Sequence, residues 1–186
     1  MRHKYSTRGI VLARTPLGET NALLTLLTED LGLVRARAQG VRRPGAKLAA
    51  SLATYAESEL VLVRGREGWR VTGATLAVPW FARLSCPARP RAGRISGLLL
   101  RLVAGEVAEL QLFPLLVRFF DALSTVGEGE HDAAECLAAL SILATLGLDA
   151  GEVPAPVFDA NALAALSAKR GDYISRINRG IEASGL

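Results

Sequence analysis

The chain has only 2 cysteines in 186 residues, and that scarcity excludes a good deal. Cys86 and Cys136 lie far apart; neither belongs to a C-x-x-C pair, and neither has a histidine at metal spacing, so no metal site is expected. In a reducing compartment the expectation is two packed thiols rather than a disulfide. Histidine is equally sparse. His131 stands beside Asp132 at the head of an apolar segment, where the two read as helix-start residues rather than a catalytic pair. Long apolar runs are missing too: "GLLLRLVAG" is broken by Arg101 and Gly105 well short of the roughly 18 residues a membrane helix needs. The basic N-terminus has a brief apolar part and no small-residue cleavage site, so a cytoplasmic chain with no membrane association is expected.

Recognisable catalytic motifs are absent. "GVRRPGAK" brings Gly40, Gly45 and Lys47 near the spacing of a phosphate-binding loop, but Ala46 intervenes and Leu48 replaces the hydroxyl residue that would hold magnesium. There is no G-x-G-x-x-G and no G-x-S-x-G. Glu57 and Glu59 alternate on one strand face, where a solvated edge accounts for them. No enzyme, no catalytic residue and no cofactor is expected.

What is present divides into two parts. Residues 1–80 carry 12 Lys/Arg against 6 Asp/Glu, a net of +6, while the remainder carries 10 against 12. The basic character therefore belongs to the first part and suggests a polyanionic partner for it. The pattern of that part is short, β-like and punctuated by turns. "RGIVLAR" reads as a buried strand, "TPLGET" as a Pro/Gly loop and "NALLTLLTE" as a second strand. "LVRARAQG" then alternates, with Arg35, Arg37 and Gln39 on one face and Val34, Ala36 and Ala38 on the other. "PGAKLAASLATYA" is expected to form a short helix, and "ESELVLVRG" with "GWRVTGATL" a hairpin turned at "RGREG". Five strands with a helix between the third and fourth fit an OB-fold, though the count also suits other small barrels.

After "VPWFARLSCPARPRAG", whose prolines suggest a connector, the pattern turns helical. "AGRISGLLLRLVAGEVAEL", "FPLLVRFFDALSTVG" and "HDAAECLAALSILATLG" each read as one helix, the third apolar nearly all round and capped at Gly147. Asp159 and Asp172 are expected to cap two last helices. The fold expectation is thus α+β in two domains: a five-stranded OB-fold barrel that binds DNA over residues 1–80, a connector over 81–92, and an all-α domain over 93–186.

A cationic surface that tracks a nucleic-acid backbone needs several arginines or lysines in one place. The candidates are Arg35, Arg37, Arg42, Arg43, Lys47, Arg64, Arg66 and Arg70. The available rings before the connector are Tyr5, Tyr55 and Trp69, too few for a stacking platform, so phosphate-led and sequence-tolerant binding is expected. The same charge pattern would also suit an OB-fold module that binds RNA.

The stretch from "STRGIVLARTPLGETNALLTLLTEDLGLV" through "AQGVRRPGAKL" closely resembles the opening of the RecO family of recombination mediator and DNA-repair proteins. "CLAALSILATLGL" continues the likeness more weakly. The resemblance implies an N-terminal OB-fold and a helical domain, and it places DNA-contacting charge at Arg35, Arg37, Arg42 and Arg43. It also implies binding of single- and double-stranded DNA, strand annealing, and action with RecR to place RecA on DNA coated by single-strand binding protein (SSB). The acidic C-terminal tail of SSB would dock on the helical part, with Arg101, Arg118, Arg176 and Arg179 as candidate rim residues; an adaptor that joins RecR and SSB with weak DNA contact is the competing role. Many members carry a four-cysteine zinc cluster after the "LGL" helix. This chain has "DAGEVPAPVFDAN" there, so no zinc is expected.

Overall fold

A computed structural model describes residues 3–103, 105, 109–154 and 156–185. Five strands come first: β1 (Lys4–Leu17), β2 (Asn21–Thr28), β3 (Gly32–Ala38), β4 (Ala56–Gly65) and β5 (Gly68–Pro79). They close on themselves in the order β1-β2-β3-β5-β4. All neighbours are antiparallel except β3 and β5, which run parallel over Ala36–Ala38 against Trp69–Val71. That order, with its one parallel pair, is the five-stranded Greek-key arrangement of an OB-fold.

Alternation explains the closure. In β3 the apolar Val34, Ala36 and Ala38 turn inward and the intervening arginines turn to solvent, so a one-residue slip would bury two guanidinium groups. Leu24, Leu26, Val34, Leu60 and Leu62 meet inside as a core with Trp69 and Val71.

Three expectations for this part need correction. Pro16 and Leu17 belong to β1 and pair with Ala22 and Asn21, because an extended proline at a strand end gives up no essential ladder bond. The turn is therefore only Gly18–Thr20. The expected helix after Pro44 is instead a chain of turns, with bonds such as Ala46 N–H to Arg43 O, Ala49 N–H to Ala46 O and Ala53 N–H to Ala50 O. Gly45 lies at φ +72°, outside the helical region, and Leu52 is drawn fully into the barrel core, so packing overrides the alanine-rich propensity. Tyr55, at φ 60°, ends this segment by donating its N–H to the Val11 carbonyl, next to the bulge in β1.

The third correction concerns residues 81–92. Within the stretch expected as a connector lie most of α1 (Trp80–Arg83) and the first residues of α2 (Ala88–Leu102), so the first helix of the helical part begins at Ala88 and not at Ala92. Pro87 stands at the N-cap of α2 and Pro90 in its first turn, where a missing N–H costs nothing. The helix ends as Val103 takes extended backbone; its expected continuation falls partly on residues 104 and 106–108, outside the described residues.

The contacts divide the chain into two units, one reaching Arg83 and including Leu112 and Phe113, the other holding Leu84–Val103 and the chain from Pro114 onward. The helices that follow are α3 (Leu112–Thr125), α4 (His131–Thr145), α5 (Ala160–Ala168) and α6 (Arg170–Ala183). α4 packs against α2, α5 and α6 and is buried nearly all round, which is why its sequence lacks a polar stripe. It ends in a left-handed cap: Gly147 N–H bonds to Ala144 O and Leu148 N–H to Leu143 O. Asp159 caps α5 by accepting from Ala162 N–H at 2.7 Å. Asp172 instead lies inside the first turn of α6, whose N-cap is Lys169. No described helix is long and apolar enough to cross a membrane.

Candidate nucleic-acid interface

The parallel pairing of β3 with β5 sets Arg37 opposite Arg70. The two-residue turn between β4 and β5 adds Arg66 and Glu67, and Arg64 precedes it on β4. These side chains, with Gln39 and Trp69, line an open groove of about 770 Å³. Four arginines and one glutamate share it, so the groove carries an excess of positive charge between low-dielectric walls, which focuses the field on an anion entering it. Arg37 Nη1 lies 2.6 Å from Glu67 Oε2, with both side chains largely exposed.

The groove thus collects Arg37, Arg64, Arg66 and Arg70 out of the eight candidates. Arg35 projects to solvent from the same face of β3 as Arg37, opposite Thr25 of β2. Arg42 is tied to the β1–β2 turn: its Nη1 donates to the Gly18 carbonyl at 2.8 Å and its N–H to Thr20 O at 2.9 Å. Arg43 and Lys47 stand exposed on the turns that follow. The basic surface therefore runs from the β4–β5 turn across β3 to the β1–β2 turn. In OB-folds the faces of strands 2 and 3, with the loops joining strands 1–2 and 4–5, are where oligonucleotides lie.

Trp69 is 5% exposed, and the edge of Tyr5 packs against it with ring centroids 5.1 Å apart. The Arg64 guanidinium carbon stands 5.3 Å from the Trp69 centroid. The ring is a core element that supports an arginine, and its face is not available for stacking a base. Tyr55 is likewise buried.

Glu57 and Glu67 carry roles the sequence reading did not assign. Glu57 does not sit on a solvated edge: it is 1% exposed, is bonded to the Arg8 guanidinium and accepts from Trp80 Nε1 at 2.8 Å. The Glu57 bond raises the Arg8 guanidinium above its ordinary value. Glu67 was visible only as part of a turn, since nothing local announces that a parallel strand pairing will bring it to Arg37.

The helical unit has a smaller cleft, of about 270 Å³. Ile174, Ile177 and Ala139 form its apolar part, and Arg94 and Arg170 stand at its rim beside Glu135 and Asp132. Asp132 is bonded to Arg91, which holds its carboxyl below the usual carboxylate range. None of the four arginines proposed for a rim lines this cleft. Arg176 is committed elsewhere, to Asp149 and to the Glu152 carbonyl at 3.1 Å. Arg101, Arg118 and Arg179 are exposed. Of the two thiols, Cys136 is buried and Cys86 is exposed, which corrects the expectation that both are packed. Burial pushes the Cys136 thiol up. Among the described residues no three His, Cys, Asp or Glu side chains are grouped to hold a metal ion.

Residues 1–79 match the family described as Recombination protein O N terminal. The chain is 32% identical over 184 residues to the DNA repair protein RecO of Heliobacterium modesticaldum, a match covering 94% of this chain and 66% of that protein. It is 31% identical over 129 residues to the DNA repair protein RecO of Dehalococcoides mccartyi, covering 69% of this chain and 51% of that one. A shorter match of 66 residues, at 46% identity, is to the DNA repair protein RecO of Acaryochloris marina, covering 36% of this chain and 22% of that protein. The chain spans about half the length of several curated relatives it matches.

Proposed function

This chain belongs to the RecO family, and on that premise we propose that it serves DNA repair and recombination by holding single- and double-stranded DNA through the phosphates. The observation that carries the reading is the single groove lined by Arg37, Arg64, Arg66 and Arg70. Guanidinium groups suit the task because each presents several donors to phosphate oxygens and stays charged at every physiological pH. Arg35, Arg42, Arg43 and Lys47 would extend the track along β3 toward the β1–β2 turn.

Annealing needs no bond to be made or broken by the protein, so this role is not that of an enzyme. A cationic surface holds two strands while screening their mutual repulsion, and base pairing supplies the specificity. Because Trp69 and Tyr55 are packed away and Tyr5 alone of the three rings is partly exposed, stacking adds little and the surface holds strands mainly by their phosphates. Within the same proposal the protein acts with RecR to load RecA on SSB-coated DNA, in the cytoplasm and at the nucleoid. The acidic tail of SSB would dock in the α4–α6 cleft, with its apolar residues on Ile174 and Ile177 and its carboxylates competing with Glu135 and Asp132 for Arg94 and Arg170.

The test is strand annealing of complementary oligonucleotides, bare and coated with SSB. The proposal expects faster annealing on both, with the coated reaction lost when an SSB lacking its tail is used. No acceleration of bare strands would overturn it, and equal or tighter binding of RNA in the groove would favour an RNA-binding module.

A further inference from the structure

The groove contains its own anion. Glu67 is the one acidic residue among those lining it, and its carboxylate sits 2.6 Å from Arg37 Nη1. Glu67 has no structural need of this contact. It lies at the tip of a two-residue turn, 80% exposed at the side chain, and the turn is already closed by the pairing of Gly65 with Gly68. Arg37 is 49% exposed and projects from a strand whose inward residues carry the packing. An exposed pair of this kind contributes little stability, so the effect of the contact falls on what else Arg37 can bind.

We propose that Glu67 is a built-in competitor for the phosphate site: in the free protein it occupies Arg37, and an incoming nucleic-acid phosphate must displace it. The inference rests on the phosphate-binding reading above and adds its regulation. Glu67 holds Arg37 through a single Nη1–Oε2 contact, and a phosphate that takes the guanidinium fork with two oxygens needs that donor, so the two compete for Arg37. A strand that also reaches Arg64, Arg66 and Arg70 displaces Glu67 as one contact among several. The competitor therefore weakens, by a similar small factor, every complex that uses Arg37.

The experiment measures binding of a fluorescent dT strand at low salt by four proteins: wild type, Glu67→Gln, Arg37→Ala and the double variant. Glu67→Gln is expected to bind about threefold more tightly, the size expected when a weak surface ion pair no longer has to be broken. In the Arg37→Ala background the same substitution should change affinity little, because there is no longer an arginine to release. Glu59→Gln, an exposed acid on β4 facing Arg8, serves as the control for loss of a negative charge and should bind as wild type does. An unchanged affinity for Glu67→Gln, with Arg37→Ala still weakening binding, overturns the competitor and leaves the groove reading standing. A gain from Glu67→Gln that persists undiminished without Arg37 also overturns it, since that is a general charge effect. If Arg37→Ala leaves affinity unchanged, the groove reading falls and the competitor falls with it.

Discussion

The Trp80 indole donates a 2.8 Å hydrogen bond to the Glu57 carboxylate, joining the first residue of α1 to the second residue of β4. Trp80 is 3% exposed and Glu57 1%, so neither group has water as an alternative partner. Arg8 bonds the other carboxylate oxygen from β1. One buried acid thus fixes two strands and the helical turn that follows them.

Trp80→Phe keeps most of the apolar contact and removes the donor. The expected cost is about 1–3 kcal/mol, the penalty for leaving a buried acceptor unsatisfied. Glu57→Gln offers one acceptor oxygen where two donors converge, so its NH2 would face either the indole or the Arg8 guanidinium and the ion pair is lost; its cost should be at least as large. Urea unfolding of both variants at neutral pH measures the order. A neutral Trp80→Phe would mean that the bond anchors nothing.

Gly180→Ala should destabilise the helical unit although alanine is the better helix former. A Cβ at this position of α6 would stand 3.0 Å from Leu143 Cδ1 and 3.1 Å from the Leu148 carbonyl oxygen, and the latter is backbone that cannot turn aside. Overpacking of this kind costs about 1–3 kcal/mol, more than the roughly 1 kcal/mol that helix propensity returns. Thermal unfolding checks the sign: a raised melting temperature would show that α6 can back away from α4.

Asp132 gives the helical unit an acid limit. Its carboxyl is lowered from the ordinary 3.8, first by the hydrogen bond from Arg91 and further by the charges of Arg91, Arg170 and Arg94, with burial opposing. A group whose folded value is depressed adds stability above its unfolded value and loses it as pH falls through the folded one. The contribution should therefore be complete above pH 3.8 and fade below it. Since Asp132 is nearly half exposed the effect is modest. Asp132→Asn should unfold less steeply with acid over that range, as followed by helical circular dichroism; an identical acid limb would show that the Arg91 pair adds nothing.

How much of this could be read from the sequence depends on how local the cause is. The alternation in "LVRARAQG" fixed which side of β3 each arginine takes, because side-chain direction in a strand follows from position alone. The all-apolar run of α4 likewise announced a buried helix. The segment after Pro44 misled because its alanines favour a helix in isolation while Leu52 is needed in the barrel core. Glu57 looked like a surface acid because its partners, Arg8 and Trp80, come from distant segments. The groove was half legible. Its arginines were visible as charge, but Arg37 meets Arg70 only because the barrel closes with β3 and β5 in parallel, and no periodicity encodes that register.

The central claim, that the grooved arginines hold DNA by its phosphates, is tested most directly by the salt dependence of single-strand binding. If four cations each neutralise one phosphate, log K should fall with log salt at a slope of about −2.8, from roughly −0.7 per phosphate on a single strand. The variant Arg37→Ala with Arg66→Ala should be shallower by roughly 1.4, weaken poly-dT and mixed-sequence strands alike, and keep the melting temperature of the wild type because both side chains face solvent. A folded double variant whose slope equals that of the wild type would contradict the account, and a loss confined to particular sequences would show that the groove reads bases.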